Sequence, residues 1–182
     1  MRNELKVTEN ITLYLPTTSE ASTLYKMIAE NRGHLEVFLD WVENTKSIQD
    51  SIENIEKRIK GFEKNTSLDY LVKYDNICVG SVGFVKINTK NKNGEIGYWV
   101  EKKSEGKGII SSCVKTLIEY GFSELELHRI TIKVNSKNSK SQNIAKRFNF
   151  KHEGTVRDDF FDGKEFSNTE IFGLLKDEYK SL

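Results

Sequence analysis

With 182 residues and a mass of 21.0 kDa, the chain has the size of one ordinary domain, enough to bury a core of its own. Its 28 Lys and Arg against 27 Asp and Glu leave a net charge of +1 and form no basic block, so bulk charge draws it neither to nucleic acid nor to an anionic membrane. The opening MRNELKVTEN carries no apolar leader and no apolar run approaches a membrane span, so a soluble, cytoplasmic protein is expected.

Residues 11–15 alternate and stop at Pro16, the only proline, which predicts a first strand. Thr17 to Glu20 supply a cap and an early acid for a helix over 19–31, with Leu24, Met27 and Ile28 on one face and Gly33 ending it. A second helical region begins near Leu35, takes in Val37, Phe38, Leu39, Trp41 and Val42, and breaks at 44–46. Helix resumes over 48–63, where Ile48, Ile52, Ile55, Ile59 and Phe62 recur at three- and four-residue spacing. From Leu68 the period becomes two: 69–74 and 77–87 are strands of a hairpin turning at Asn76, with Gly80 and Gly83 marking a bulge or close packing.

After the polar loop 88–93, residues 95–101 form a strand that feeds a glycine turn. A helix over 107–125 stacks Cys113, Val114, Leu117, Ile118 and Phe122 on one side, the stripe of a helix lying on a sheet. Residues 129–135 read as a strand and 139–148 as a short helix with Ile144, Ala145 and Phe148 inward. Residues 150–161 and 168–175 are the last strands, with Asp162 and Gly163 as the turn signal. The order β α α β β β α β α β β, without repeat or linker, predicts a single α+β domain. Cys78 and Cys113 fall on a strand and on an apolar helix face, so both read as reduced, buried side chains. His34, His128 and His152 lie far apart, and no metal site is expected.

Residues 94–122 carry the most chemistry. They run from an apolar strand through Gly106-Lys107-Gly108 into the amphipathic helix. A helix N-terminus offers unpaired N–H groups and a partial positive charge, and two glycines remove the Cβ atoms that would screen those amides from a diphosphate. Two familiar phosphate loops do not fit. Ser111 stands where the dinucleotide fingerprint needs its third glycine, and Ile109 and Ile110 follow Gly108 where the other loop needs Lys and Ser or Thr.

Four features together, EIGYWV, EGKGII, the N-x-x-S of Asn138 to Ser141 and the late Asp162-Gly163 hairpin, resemble the GNAT superfamily of acyl-CoA-dependent N-acetyltransferases. Within it the chain is similar to the RimJ/RimL-type branch, whose named members acetylate the N-terminal amine of ribosomal proteins. The resemblance implies a single-domain GNAT fold over residues 1–182, with a mixed, mostly antiparallel sheet flanked by helices and two splayed parallel strands, 95–101 and 129–135. It implies acetyl-CoA as cosubstrate, no metal, no nucleic-acid or membrane partner, and a homodimer. The pantetheine arm then lies between the splayed strands like an extra strand. The diphosphate is implied on the amides of Lys103, Gly106, Lys107, Gly108 and Ile109, with Ile110 and Ser111 at the helix entrance, and further cofactor contacts at Trp99, Val100, Asn135 and Asn138, the last on the arm. Two positions depart from the family pattern: Lys103, where Arg or Gln is usual, and Asn149, where Gly is usual and left-handed backbone is needed.

Catalytically, the resemblance implies Ser141, through the N-x-x-S motif, as the acid; Glu95, at the start of the cofactor strand, is the candidate base. Beside these stand plainer readings: Ser139 or Ser141 caps its helix, Glu95 is a solvated strand-end carboxylate, and Tyr98 and Trp99 line the channel. The acidic segment 30–56, with Glu36 and Asp40 over Phe38 and Trp41, suits a cationic acceptor or is an ordinary exposed helix face. The acceptor is a protein N-terminus or a small primary amine such as a polyamine, amino acid or aminoglycoside. A catalytically silent acyl-CoA-binding module is the reading from another class.

Overall fold

Short alternating runs build one sheet in the computed structural model, which describes residues 1–180. Its strands are β1 (Glu4–Lys6), β2 (Ile11–Tyr14), β3 (Leu68–Tyr74), β4 (Ile77–Asn88), β5 (Asn93–Val100), β6 (Arg129–Asn135), β7 (Lys151–Phe161) and β8 (Phe166–Leu175). They lie in the order β1-β2-β3-β4-β5-β6-β8-β7, and every neighbouring pair is antiparallel except β5 and β6. The helices are α1 (Ala21–Glu30), α2 (Arg32–Leu35), α3 (Ile48–Glu63), α4 (Ile109–Ser123), α5 (Ser139–Arg147) and α6 (Lys176–Lys180).

Side chains alternate across the sheet, and the helices sort onto its two faces accordingly. One apolar cluster sets Ile109, Val114, Leu117 and Ile118 of α4, with Ala145 of α5, against Ile96, Ile132 and Phe172. The other sets Leu24 and Ile28 of α1 and Ile55 of α3 against Leu71 and Trp99. Along β5, therefore, Tyr98 and Val100 pack with α4 while Trp99 packs with α1 and α3.

The parallel pairing of β5 with β6 is short. It runs from Asn93 opposite Arg129 to Ile96 opposite Ile132 and then stops, although β5 continues beside β4 to Val100 and β6 continues beside β8 to Asn135. A register shift between Phe84 and Lys86 leaves Val85 as an extra residue beside Glu95 and Ile96. Such a bulge bends and over-twists its strand. It occurs where β5 leaves β6, and the two strands diverge from there as expected.

Several local expectations change. Asn31, not Gly33, breaks the first helix: its Nδ2 donates to the Met27 carbonyl at 2.9 Å and its Oδ1 accepts from the Lys102 amide at 3.0 Å. The second helical region divides into α2 and a 3₁₀ turn at Asp40–Asn44. Its loose carbonyls find a side-chain partner in Arg32, which donates to those of Val42 (2.5 Å) and Thr45. The short elements β1 and α6, and the start of β8 at Phe166, add to the predicted order; three to five residues are too few for a period to register. Asn149 takes the left-handed conformation that its position requires (φ 57°).

A buried ionic cluster joins α3 to the sheet. Arg58 donates to Asn54 Oδ1 at 2.8 Å and to Ser81 Oγ at 3.0 Å, and its Nε lies 3.3 Å from Asp69 Oδ2. Removing the guanidinium leaves the half-buried Asp69 carboxylate with the Ser81 hydroxyl (2.7 Å) but without its cation, so Arg58→Ala is expected to cost about 3 kcal/mol of stability, read as a lowered urea midpoint at unchanged slope.

Candidate functional site

Where β5 and β6 part, a cleft of about 1020 Å³ opens between the strand ends, the N-terminus of α4, α5 and the segment after α2. Its size suits a large, extended ligand. Beyond Ile96 and Ile132 the facing edges have no strand between them, so backbone donors and acceptors line the gap as they do at any sheet edge. Tyr98, Trp99 and Val100 of β5 line one wall, and Asn138, Ser141 and Ile144 of α5 the other. Tyr98 reaches across, its hydroxyl donating to the Ser141 carbonyl at 3.3 Å, and burial pushes the phenol up to about 12. It stays neutral at any working pH.

The far end of the cleft is a cradle of amides. Gly106 and Gly108 have φ of +74° and +75°, and a Cβ at either would meet nothing within 4 Å. Glycine is thus required here by backbone conformation, and the space a side chain would fill is open on the cleft side. Gly108 is the N-cap of α4 and has no capping side chain. Among the described residues, no acceptor takes the amides of residues 106–111; the first α4 bond is Ser112 N–H to the Gly108 carbonyl at 3.0 Å. An anionic group is the natural partner for such a row.

Asn138 is the N-cap of α5: its Oδ1 accepts from the Ser141 amide at 3.1 Å. The capping role considered for Ser139 or Ser141 therefore belongs to Asn138. The Ser141 side chain lines the cleft beside the Tyr98 phenol, which it holds slightly down against the rise due to burial. Ile109, Ile110 and Ser111 line the cleft beside the two glycines. Phe38 lines it too, while Trp41 stands behind, its ring 6.0 Å from that of Trp99. Glu36 and Asp40 are exposed on the rim, flanking the cleft-lining residues 37–39, with no ion pair among the described residues.

The side chains of other expected residues have partners outside the cavity, while the amide of Lys107 stays in the row. Lys103 pairs with Glu101 (3.3 Å) and Lys107 lies over the Tyr74 ring (5.5 Å). Asn135 donates to Ser167 Oγ at 2.8 Å and accepts from the Lys137 amide at 2.9 Å, so its side chain is committed to β8 and the following turn. Glu95 lies one residue before the last paired position, and its carboxylate meets Lys133 Nζ at 3.0 Å. It does not line the cleft.

The structure adds charges that the sequence reading passed over. Glu105 sits between His34 Nε2 (3.4 Å) and Lys140 Nζ (2.6 Å), tying α2 and α5 to the glycine turn. Arg147, in the last turn of α5, donates to Ser111 Oγ at 2.7 Å. The signal was the spacing of Lys140, Asn143, Ile144 and Arg147, one helical stripe toward α4. The described residues hold no group of three metal-binding side chains and no helix long and apolar enough to cross a membrane.

A model described as an acetyltransferase (GNAT) domain matches residues 10–151. YdaF of Bacillus subtilis (strain 168), provisionally described as a ribosomal N-acetyltransferase, is 33% identical over 96% of this chain and 96% of its own length. The ribosomal-protein-serine acetyltransferase of Escherichia coli (strain K12) is 25% identical over 97% and 99%. Among solved structures, the microcin C7 self-immunity acetyltransferase MccE, in complex with acetyl-CoA and AMP, aligns with a TM-score of 0.89 at 29% identity, covering 96% of this chain and 97% of that one.

A side chain at residue 108 would be held in left-handed backbone without a clash. Gly108→Ala is therefore expected to lose about 1–2 kcal/mol in urea denaturation and to keep its circular dichroism spectrum.

Proposed function

The chain belongs to the acetyltransferase (GNAT) family and uses acetyl-CoA, and from that premise we propose that it acetylates the N-terminal amine of a protein, a ribosomal one as in its named relatives, in a ternary complex. The observation that carries this reading is the strand gap beyond Ile96 and Ile132 ending on the unpaired amides of residues 106–111. Acetyl-CoA supplies the activated acetyl group. In this reading its amide-rich arm takes the edges of β5 and β6, and its diphosphate takes the amide row and the positive end of α4.

The transfer forms an N–C bond, breaks a C–S bond and moves one proton from nitrogen toward sulfur. An N-terminal amine, with a reference pKa of about 7.7–8.0, is partly neutral near pH 7 and needs little help to lose its proton. Glu95 is the proposed proton acceptor, near the point where the strands part and held by Lys133. Ser141 is the proposed donor to sulfur, supported by its place in the cleft beside Tyr98. Orientation between the strand edges carries most of the rate.

The rim favours a cationic acceptor. Glu36 and Asp40 are unneutralised beside Phe38 and raise the local concentration of a basic segment. A second reading, a small-amine acceptor, is favoured by the alignment with MccE, whose complex also holds AMP. The protein is proposed to act in the cytoplasm as a homodimer, as its branch implies.

Thiol release from acetyl-CoA tests the reading against matched peptides with free and blocked N-termini, spermidine and amino acids. Turnover of free N-termini alone is expected; turnover of spermidine or amino acids alone selects the second reading, and binding without turnover on any amine rejects both. Ser141→Ala is expected to lower kcat roughly 10²-fold with a smaller change in the acetyl-CoA KM. In a separate measurement, a Glu36→Lys/Asp40→Lys double variant should raise the peptide KM about tenfold and leave that of acetyl-CoA nearly unmoved.

A further inference from the structure

The charges of the cleft are mostly spoken for. Glu105 holds His34 and Lys140, and Lys137 pairs with Glu165 at 2.5 Å. Arg147 is different. Its guanidinium has no carboxylate partner among the described residues, and its one hydrogen bond goes to the neutral hydroxyl of Ser111. Lys102, the other cation of the cleft without a carboxylate, lies before the cradle in the 3₁₀ turn Lys102–Ser104.

Position and chemistry single out Arg147. Ser111 is in the first turn of α4, so the guanidinium stands beside the amide row but on a separate element. Only one of its five N–H donors is engaged. Coenzyme A carries two separate anionic groups, the diphosphate and a phosphate monoester on the ribose 3′ carbon. Backbone amides answer the first. The second, a compact dianion, is what a planar guanidinium fork binds in bidentate fashion.

We propose that Arg147 is a specificity-determining residue that reads the ribose 3′-phosphate, so that the protein distinguishes coenzyme A from its dephospho form. The inference rests on the acetyl-CoA site described above. Arg147 touches no reacting atom in this account; it acts on cofactor affinity alone.

Calorimetric titration of the intact protein with coenzyme A and with 3′-dephospho-coenzyme A tests this, in the native chain and in Arg147→Gln, Arg147→Lys and Ser111→Ala. One charge-assisted phosphate contact corresponds to a preference of roughly 10- to 100-fold for coenzyme A in the native chain. Arg147→Gln should bring the ratio close to one by weakening coenzyme A alone, with Kd for the dephospho form unchanged. Arg147→Lys should keep part of the preference and Ser111→Ala nearly all of it. The proposal is overturned if Arg147→Gln retains the native ratio, or if it weakens both ligands equally, which would make Arg147 a brace between α5 and α4. Failure of the native chain to bind either ligand would instead overturn the acetyl-CoA site itself.

Discussion

Everything functional in this molecule depends on a parallel strand pair that is allowed to come apart. A strand edge is ordinarily costly to leave open, because its N–H and C=O groups lose their partners and invite unwanted pairing. Here the divergence is tolerated because each strand is held on its other side: β5 by β4 as far as Val100, and β6 by β8 as far as Asn135. The bulge at Val85 supplies the bend, and α4 and α5 close the space below. The sheet thus spends its regularity at one place, where an amide-rich ligand can restore the missing bonds.

The two ends of that opening are chemically distinct. One offers the edges of β5 and β6 with Tyr98 bridging to the first turn of α5; the other offers an uncapped helix N-terminus. A ligand with an amide arm and a diphosphate head complements both in one orientation only. This directionality explains how a site with few titratable groups positions an acyl group. Burial raises the Tyr98 phenol to about 12, and Ser141 is presented by a helix whose cap is another residue, Asn138. Placement, more than acid strength, is what the scaffold supplies.

The rim and the α4–α5 seam differ in how their backbone is held. Glu36 and Asp40 flank the short segment between α2 and the 3₁₀ turn Asp40–Asn44, where Arg32 holds the carbonyls of Val42 and Thr45. The cofactor side rests on α4, whose inner stripe is among the best buried in the chain. The glycine turn thus leads into a well-packed helix, whereas the rim stands on short, irregular elements.

Periodicity alone made the α+β class, most of the strands and helices, and the glycine turn legible, because alternation and three-to-four spacing are local properties. The four-residue Asn138 motif and the turn at Gly106 and Gly108 were also readable, since each needs only neighbouring residues. What could not be read was anything set by contact between distant segments. The commitment of Asn135 to Ser167, the Lys133 ammonium on Glu95 and the placing of Lys107 over the Tyr74 ring all depend on which segments lie side by side. The contact of Arg147 with Ser111 is of the same kind: the helical stripe that carries Arg147 is local, but only the packing of α5 against α4 brings the guanidinium to a hydroxyl 36 residues away.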